Sequence, residues 1–188
     1  AAERFGLFTI IVLGEVVVGV VDGLSEASRG ARTIATGVIG LTIGFGVWWN
    51  YFDFVGRRPP RPGPVTRGAW NLGHMPLWLS IAAGGAGMVS LVEHATDART
   101  PAATSWLVTG SVAGVTLSVA VIVAALPPRP GLRMVPYSLA AAAGFALVLG
   151  ALRPTPILLV LGLVAALSAV WFEAFTRKVR AGAPMGTG

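Results

Sequence analysis

A carboxylate in the middle of an apolar run is the first feature of this sequence with chemical capacity. Glu15 closes the segment Phe5-Gly6-Leu7-Phe8-Thr9-Ile10-Ile11-Val12-Leu13-Gly14-Glu15, which carries no other charge. An ionised carboxylate at the centre of a lipid-embedded helix costs at least about 2.5–3.5 kcal/mol on insertion scales. Glu15 is therefore expected to face a bundle interior or to be protonated. At about 100° per residue, Arg4, Phe8, Ile11, Glu15, Gly19 and Asp22 fall on one stripe. A cation at one end and carboxylates at the middle and far end suit an ion or proton route. The same stripe suits a packing clamp, in which Glu15 bonds a hydroxyl or Arg of a neighbouring helix.

The other polar candidates are few. Asn50 and Asp53 share a helix face with Thr42 and Gly46, and Arg57 and Arg58 stand one turn beyond Asp53. The group reads either as part of an ion path or, for Asp53 with these arginines, as a solvated interfacial ion pair of little energetic weight. His74 precedes Met75-Pro76, and Pro76 suits the first turn of a helix. His74 either relays protons near neutral pH or caps that helix. Glu93 and His94 are neighbours that do not share a helix face, and no third ligand accompanies them, so no metal site is expected. Gly37, Gly40 and Gly44 read as a packing face, with Gly40-x-x-x-Gly44 permitting close backbone approach. Walker loops, nucleophile elbows, zinc-protease motifs and dinucleotide fingerprints do not occur. No enzyme and no cofactor are expected. Cys does not occur, which excludes disulfides and thiolate metal sites.

These residues must be positioned by helices in lipid. Of the 188 residues 54% are hydrophobic and only 12% charged, about half the charge of a soluble domain. Six apolar stretches are legible: Phe5 to Val21, Thr33 to Phe54, Met75 to Val92, Ser105 to Leu126, Val135 to Leu152, and Thr155 to Phe175. Their lengths fit membrane-crossing helices, whereas a barrel strand needs only about ten alternating residues. Proline-rich breakers fall between them, as in Arg57-Arg58-Pro59-Pro60 and Pro127-Pro128-Arg129-Pro130. The expected fold is all-α: one polytopic six-helix bundle over 1–188, with a basic, irregular cytoplasmic loop at 55–74 and a disordered basic tail at 177–188. Six spans place both termini on one side, which receives ten of the 14 basic residues. The positive-inside rule makes that side cytoplasmic. Trp48, Trp49, Trp70, Trp78, Trp106 and Trp171 lie near the expected helix ends, as an aromatic belt requires. A net charge of +6 spread over short segments between spans fits anionic lipid rather than nucleic acid.

The run Glu3-Arg4-Phe5-Gly6-Leu7-Phe8-Thr9-Ile10-Ile11-Val12-Leu13-Gly14-Glu15 closely resembles the signature of the bacterial low-temperature-requirement-A family of multi-pass membrane proteins. Trp48-Trp49-Asn50-Tyr51-Phe52-Asp53 and Leu72-Gly73-His74-Met75-Pro76-Leu77 fit the same pattern in order. The resemblance implies the C-terminal half of a two-repeat protein of the inner membrane. It thereby implies a partner: the N-terminal half, or a second copy. The family is named for a growth phenotype, so the resemblance supplies an architecture more than a mechanism. Three functions follow as expectations. The first is an ion- or proton-coupled transporter or channel module built on Arg4, Glu15, Asp22, Asn50, Asp53 and His74. The second is a structural or regulatory membrane subunit in which Glu15 serves assembly. The third is an intramembrane lipid-modifying enzyme using Asp53 and His74.

Overall fold

The computed structural model describes residues 2–27, 30–56, 58–129 and 132–180. Six helices follow one another: α1 (Ala2–Glu26), α2 (Ala31–Phe54), α3 (Pro64–Glu93), α4 (Ala102–Ala124), α5 (Val135–Leu152) and α6 (Pro156–Arg180). All six are long and apolar enough to cross a membrane. The shortest, α5, has 18 residues, or roughly 27 Å at 1.5 Å per residue, close to the hydrocarbon thickness. No strand occurs among the described residues.

The helices run alternately up and down and close a ring in the order α1, α3, α4, α5, α6, α2. The most enclosed is α4, which also touches α2 and α6 across the ring. Its sequence explains why it tolerates that position. Thr109, Ser111, Thr116 and Ser118 return their hydroxyls to carbonyls of their own helix, at 2.6–3.0 Å. Ser105 donates across to the Gly150 carbonyl of α5 at 3.0 Å. Small side chains thus allow close packing while every one of these hydroxyls stays bonded.

At the α1–α3 contact the backbones themselves meet. A Cβ added to Gly19 would overlap the Gly85 carbonyl, and one added to Gly85 would lie 2.6 Å from the Glu15 carbonyl oxygen. A turn further on, Gly23 faces the Val89 carbonyl. The close backbone approach expected at Gly40 and Gly44 occurs here instead. Gly37, Gly40 and Gly44 do pack, but against side chains: Leu24, the Met88 Sδ and Val16.

The largest departures from the sequence reading are at the start of α3 and the end of α6. The third helix begins at Pro64, eleven residues before Met75, so the loop expected over 55–74 ends at Gly63. Proline at a first helical position gives up only an N–H that would be unpaired anyway. The added turns carry Thr66, Arg67 and Asn71, whose polarity conceals a helix from a hydropathy reading. Pro76 consequently lies inside α3 and not in its first turn. At the other end α6 continues through Arg177, Lys178 and Arg180, where cations suit the helix C-terminus. The rest of the expected tail, 181–188, lies outside the described residues, as do Arg29 and Arg57.

Candidate functional site: a sealed histidine and an outward carboxylate

His74 is 0% exposed and lies well inside α3, not at its start. Its Nδ1 is 2.7 Å from the Trp70 carbonyl, one turn earlier. A carbonyl can only accept, so Nδ1 carries a proton, and in the neutral imidazole Nε2 then keeps its lone pair. The Tyr51 hydroxyl of α2 donates to that lone pair at 3.1 Å. Aromatic rings complete the enclosure. Phe5 of α1 and Trp70 stand 4.8 and 4.5 Å from the imidazole, centroid to centroid, and Trp78 stands at 5.7 Å. The Trp78 indole N–H donates to Thr9 of α1 at 3.0 Å, and Thr9 donates to the Phe5 carbonyl.

Phe5 and Thr9, Tyr51, and His74 come from the three segments that carried the resemblance. The fold brings these segments to one enclosed polar and aromatic cluster that ties α1, α2 and α3 together. Trp70 is 2% exposed, and both Trp70 and Trp78 turn inward. These two therefore leave the aromatic belt expected from their positions. Tyr51→Phe removes one buried hydrogen bond, for an expected loss of about 1 kcal/mol. His74→Ala leaves a cavity and an orphaned Tyr51 hydroxyl, and should cost about 3 kcal/mol or more. Thermal unfolding in detergent checks both, and His74→Ala must be the more damaging.

Arg4, Glu15 and Asp22 lie elsewhere. All three are exposed on the outer face of α1, among Phe8, Val18 and Ile11, the last 70% exposed. Glu15 is the fourteenth of the 25 residues of α1, so it sits at mid-span. Its backbone lies on the α3 seam, where Gly85 offers no side chain, and its carboxylate emerges beside that seam. The expectation that Glu15 faces the interior of this bundle is not met. The stripe is continuous, but it points away from the other five helices except at Gly19, which is buried, and at Phe8, whose ring packs on Trp78 of α3 at 4.4 Å.

Asn50 and Asp53 form a third location. Asn50 is 4% exposed and donates to the Gly46 carbonyl at 2.8 Å and the Leu167 carbonyl at 3.3 Å. Its Oδ1 has no partner among the described residues. It borders an open groove of about 710 Å³ between α2 and α6, walled by Phe45, Trp49, Trp171 and Phe172. Asp53 pairs with Lys178 of α6 at 2.8 Å, not with Arg58, which donates to the Phe54 and Pro127 carbonyls. Asp53 and His74 therefore do not form a joint site.

Gly19, Gly23 and Gly85 were missed as positioning residues. The spacing Gly19-x-x-x-Gly23 is the same small-residue signal that was read at Gly40 and Gly44. Thr9 and Tyr51 carry no separate sequence signal, because their partners are on other helices.

A family model described as bacterial low temperature requirement A protein (LtrA) matches residues 1–170. No curated protein and no solved structure matches the chain. The family match covers nine-tenths of the 188 residues and includes all three segments that meet around His74. The chain thus belongs to the bacterial low temperature requirement A family of membrane proteins.

Proposed function

We propose that this chain is an ion- or proton-coupled transport module whose route runs along the outer face of α1. The observation that carries the proposal is Glu15, a carboxylate at mid-span with its side chain turned out of the bundle. Left against lipid it would be costly. Covered by a second transmembrane element it becomes part of a polar seam with Arg4 and Asp22 at the two ends. Sites near the midplane between two transmembrane units are the general logic of secondary carriers. The covering element in this reading is the N-terminal half of a longer chain or a second copy. A route through the ring of six helices has less support, since His74 is sealed and its hydrogen-bonding atoms are occupied.

Membrane vesicles from cells producing the full protein test this. An imposed pH gradient should collapse faster than in vesicles lacking the protein, and equal rates would contradict the proposal. A second reading, a structural or regulatory subunit, is favoured by the open surface beside Glu15, where a side chain added at Gly14 would meet nothing within 4 Å. Such a surface suits an approaching helix. The reading as a lipid-modifying enzyme finds no support in the separated Asp53 and His74.

The proposed orientation places both ends of the described chain in the cytoplasm of an inner-membrane protein, from the basic asymmetry. Reporter fusions in the segment between α2 and α3 and after α6 should both report cytoplasm. A periplasmic signal at either point would contradict this topology.

A further inference from the structure

The end of the bundle formed by the α2–α3 and α4–α5 connections has a construction of its own. Prolines 127 and 128 stop α4, leaving its last carbonyls without helical partners. The other connection supplies them. The Arg61 amide donates to the Ala125 carbonyl at 3.0 Å, and the Arg61 guanidinium donates to the Ala124 carbonyl at 2.6 Å. Arg58 bridges the Phe54 and Pro127 carbonyls, each at 2.8 Å. Two connections more than sixty residues apart in sequence are thereby locked together by arginines.

Between them lies a cavity of about 440 Å³ that Arg58, Arg61, Arg129 and Arg133 line together with Leu132 and Tyr137. Among the described residues no carboxylate lines it. The ion pairs among the described residues, Arg177–Glu173 and Lys178–Asp53, involve none of these four arginines. Burial first, and the positive charge of Arg129 second, hold the Arg58 guanidinium below its ordinary range, against a smaller opposing pull from Asp53. Four like charges held around one cavity repel each other, and a bound anion relieves that repulsion. The partial negative charge at the end of α4 is already answered by Arg58 and Arg61.

We infer that this cavity is a binding site for the phosphodiester headgroup of an anionic membrane phospholipid. The walls select lipid over free phosphate. Leu132 and Tyr137 stand beside the arginines, and Tyr137 is 72% exposed at the first turn of α5, level with the end of a membrane-crossing helix. A phosphate held by the arginines would place its acyl chains along that apolar helix surface. Basic pockets between transmembrane helices recognise anionic headgroups by this combination. The site is independent of the transport reading, since none of its residues belongs to the α1 face.

The test titrates the purified full chain in detergent with dioleoylphosphatidylglycerol, dioleoylphosphatidylcholine or inorganic phosphate. Thermal unfolding and lipid retention in native mass spectrometry are the readouts. Phosphatidylglycerol should raise Tm and be retained, and the other two should do neither. Among the described residues the Arg129 and Arg133 side chains make no hydrogen bond within the chain. The double variant Arg129→Gln/Arg133→Gln should accordingly hold or slightly raise its lipid-free Tm, as repulsion around the cavity is relieved, and lose about tenfold or more in affinity for phosphatidylglycerol. A control, Arg67→Gln/Arg180→Gln, removes the same charge from the same end of the bundle and should retain affinity within about twofold. Equal losses in both pairs would overturn the site in favour of diffuse surface attraction. Equal stabilisation by phosphatidylcholine, or phosphate binding as tight as that of the lipid, would also overturn it.

Discussion

Glu15→Gln is expected to leave the six-helix unit folded and to reduce pH-dependent flux to the background of vesicles without the protein. The folding half of this expectation follows from exposure. The Glu15 side chain leaves the bundle beside the α1–α3 seam, and its contact with α3 is made by backbone that the substitution keeps. Glu15→Ala should for the same reason unfold within about 0.5 kcal/mol of the parent, as exposed substitutions do. The functional half follows from chemistry. Gln matches the carboxyl in size and hydrogen bonding but has no titratable proton, so a route that loads a proton on Glu15 stops. Dye-quench measurements on inside-out vesicles check this, with protein level and Tm recorded in parallel. Full proton-coupled flux in Glu15→Gln would remove the carrier role and leave Glu15 as an assembly contact.

The largest structural effect is expected from Gly85→Val. A Cβ at this position meets the Glu15 carbonyl oxygen at 2.6 Å and the Glu15 Cβ at 3.0 Å, and backbone cannot step aside as a flexible side chain does. Overpacking costs typically 1–3 kcal/mol, more when backbones must part. Valine adds two further methyl groups to the collision. Gly85→Val should therefore lower Tm well beyond any substitution at Glu15 and should expose α1 to proteolysis. Gly40→Ala is the contrast. Its added methyl meets the Met88 sulfur at 3.3 Å, the mobile part of a flexible side chain, so the loss should stay below about 1 kcal/mol. Equal tolerance of both substitutions would contradict the backbone contact between α1 and α3.

The helices were legible where lipid dictates composition, and less so where it does not. Prolines 127, 128, 154 and 156 fix the end of α4, the end of α5 and the start of α6, because a helix cannot run through them unchanged. The start of α3 was hidden because hydropathy reports lipid contact rather than helix, and the turns after Pro64 are polar. The stripe through Glu15 was correctly periodic, yet its direction was not readable. An apolar helix such as α1 has no solvent-marked side, and only packing against Gly85 and Val89 decides which face turns inward. The site was legible in part. The three segments around Phe5, Tyr51 and His74 stood out, but their convergence depends on contacts between distant residues, such as Trp78 with Thr9, 69 residues apart. Asp53 invited pairing with its neighbours Arg57 and Arg58, whereas its partner Lys178 is 125 residues away.

Cysteine accessibility tests whether the outer face of α1 lines a polar route under a covering element. The chain contains no cysteine, so a single introduced thiol is a unique label within it. Glu15→Cys and Ile11→Cys would be treated in native membranes with a charged, membrane-impermeant thiosulfonate. Phe145→Cys on the exposed face of α5 serves as the lipid-facing control. Rapid modification is expected at positions 15 and 11, with flux through the Ile11→Cys protein blocked, and no modification at 145. Positions 11 and 15 as unreactive as 145 would contradict it, because the face of α1 would then be dry.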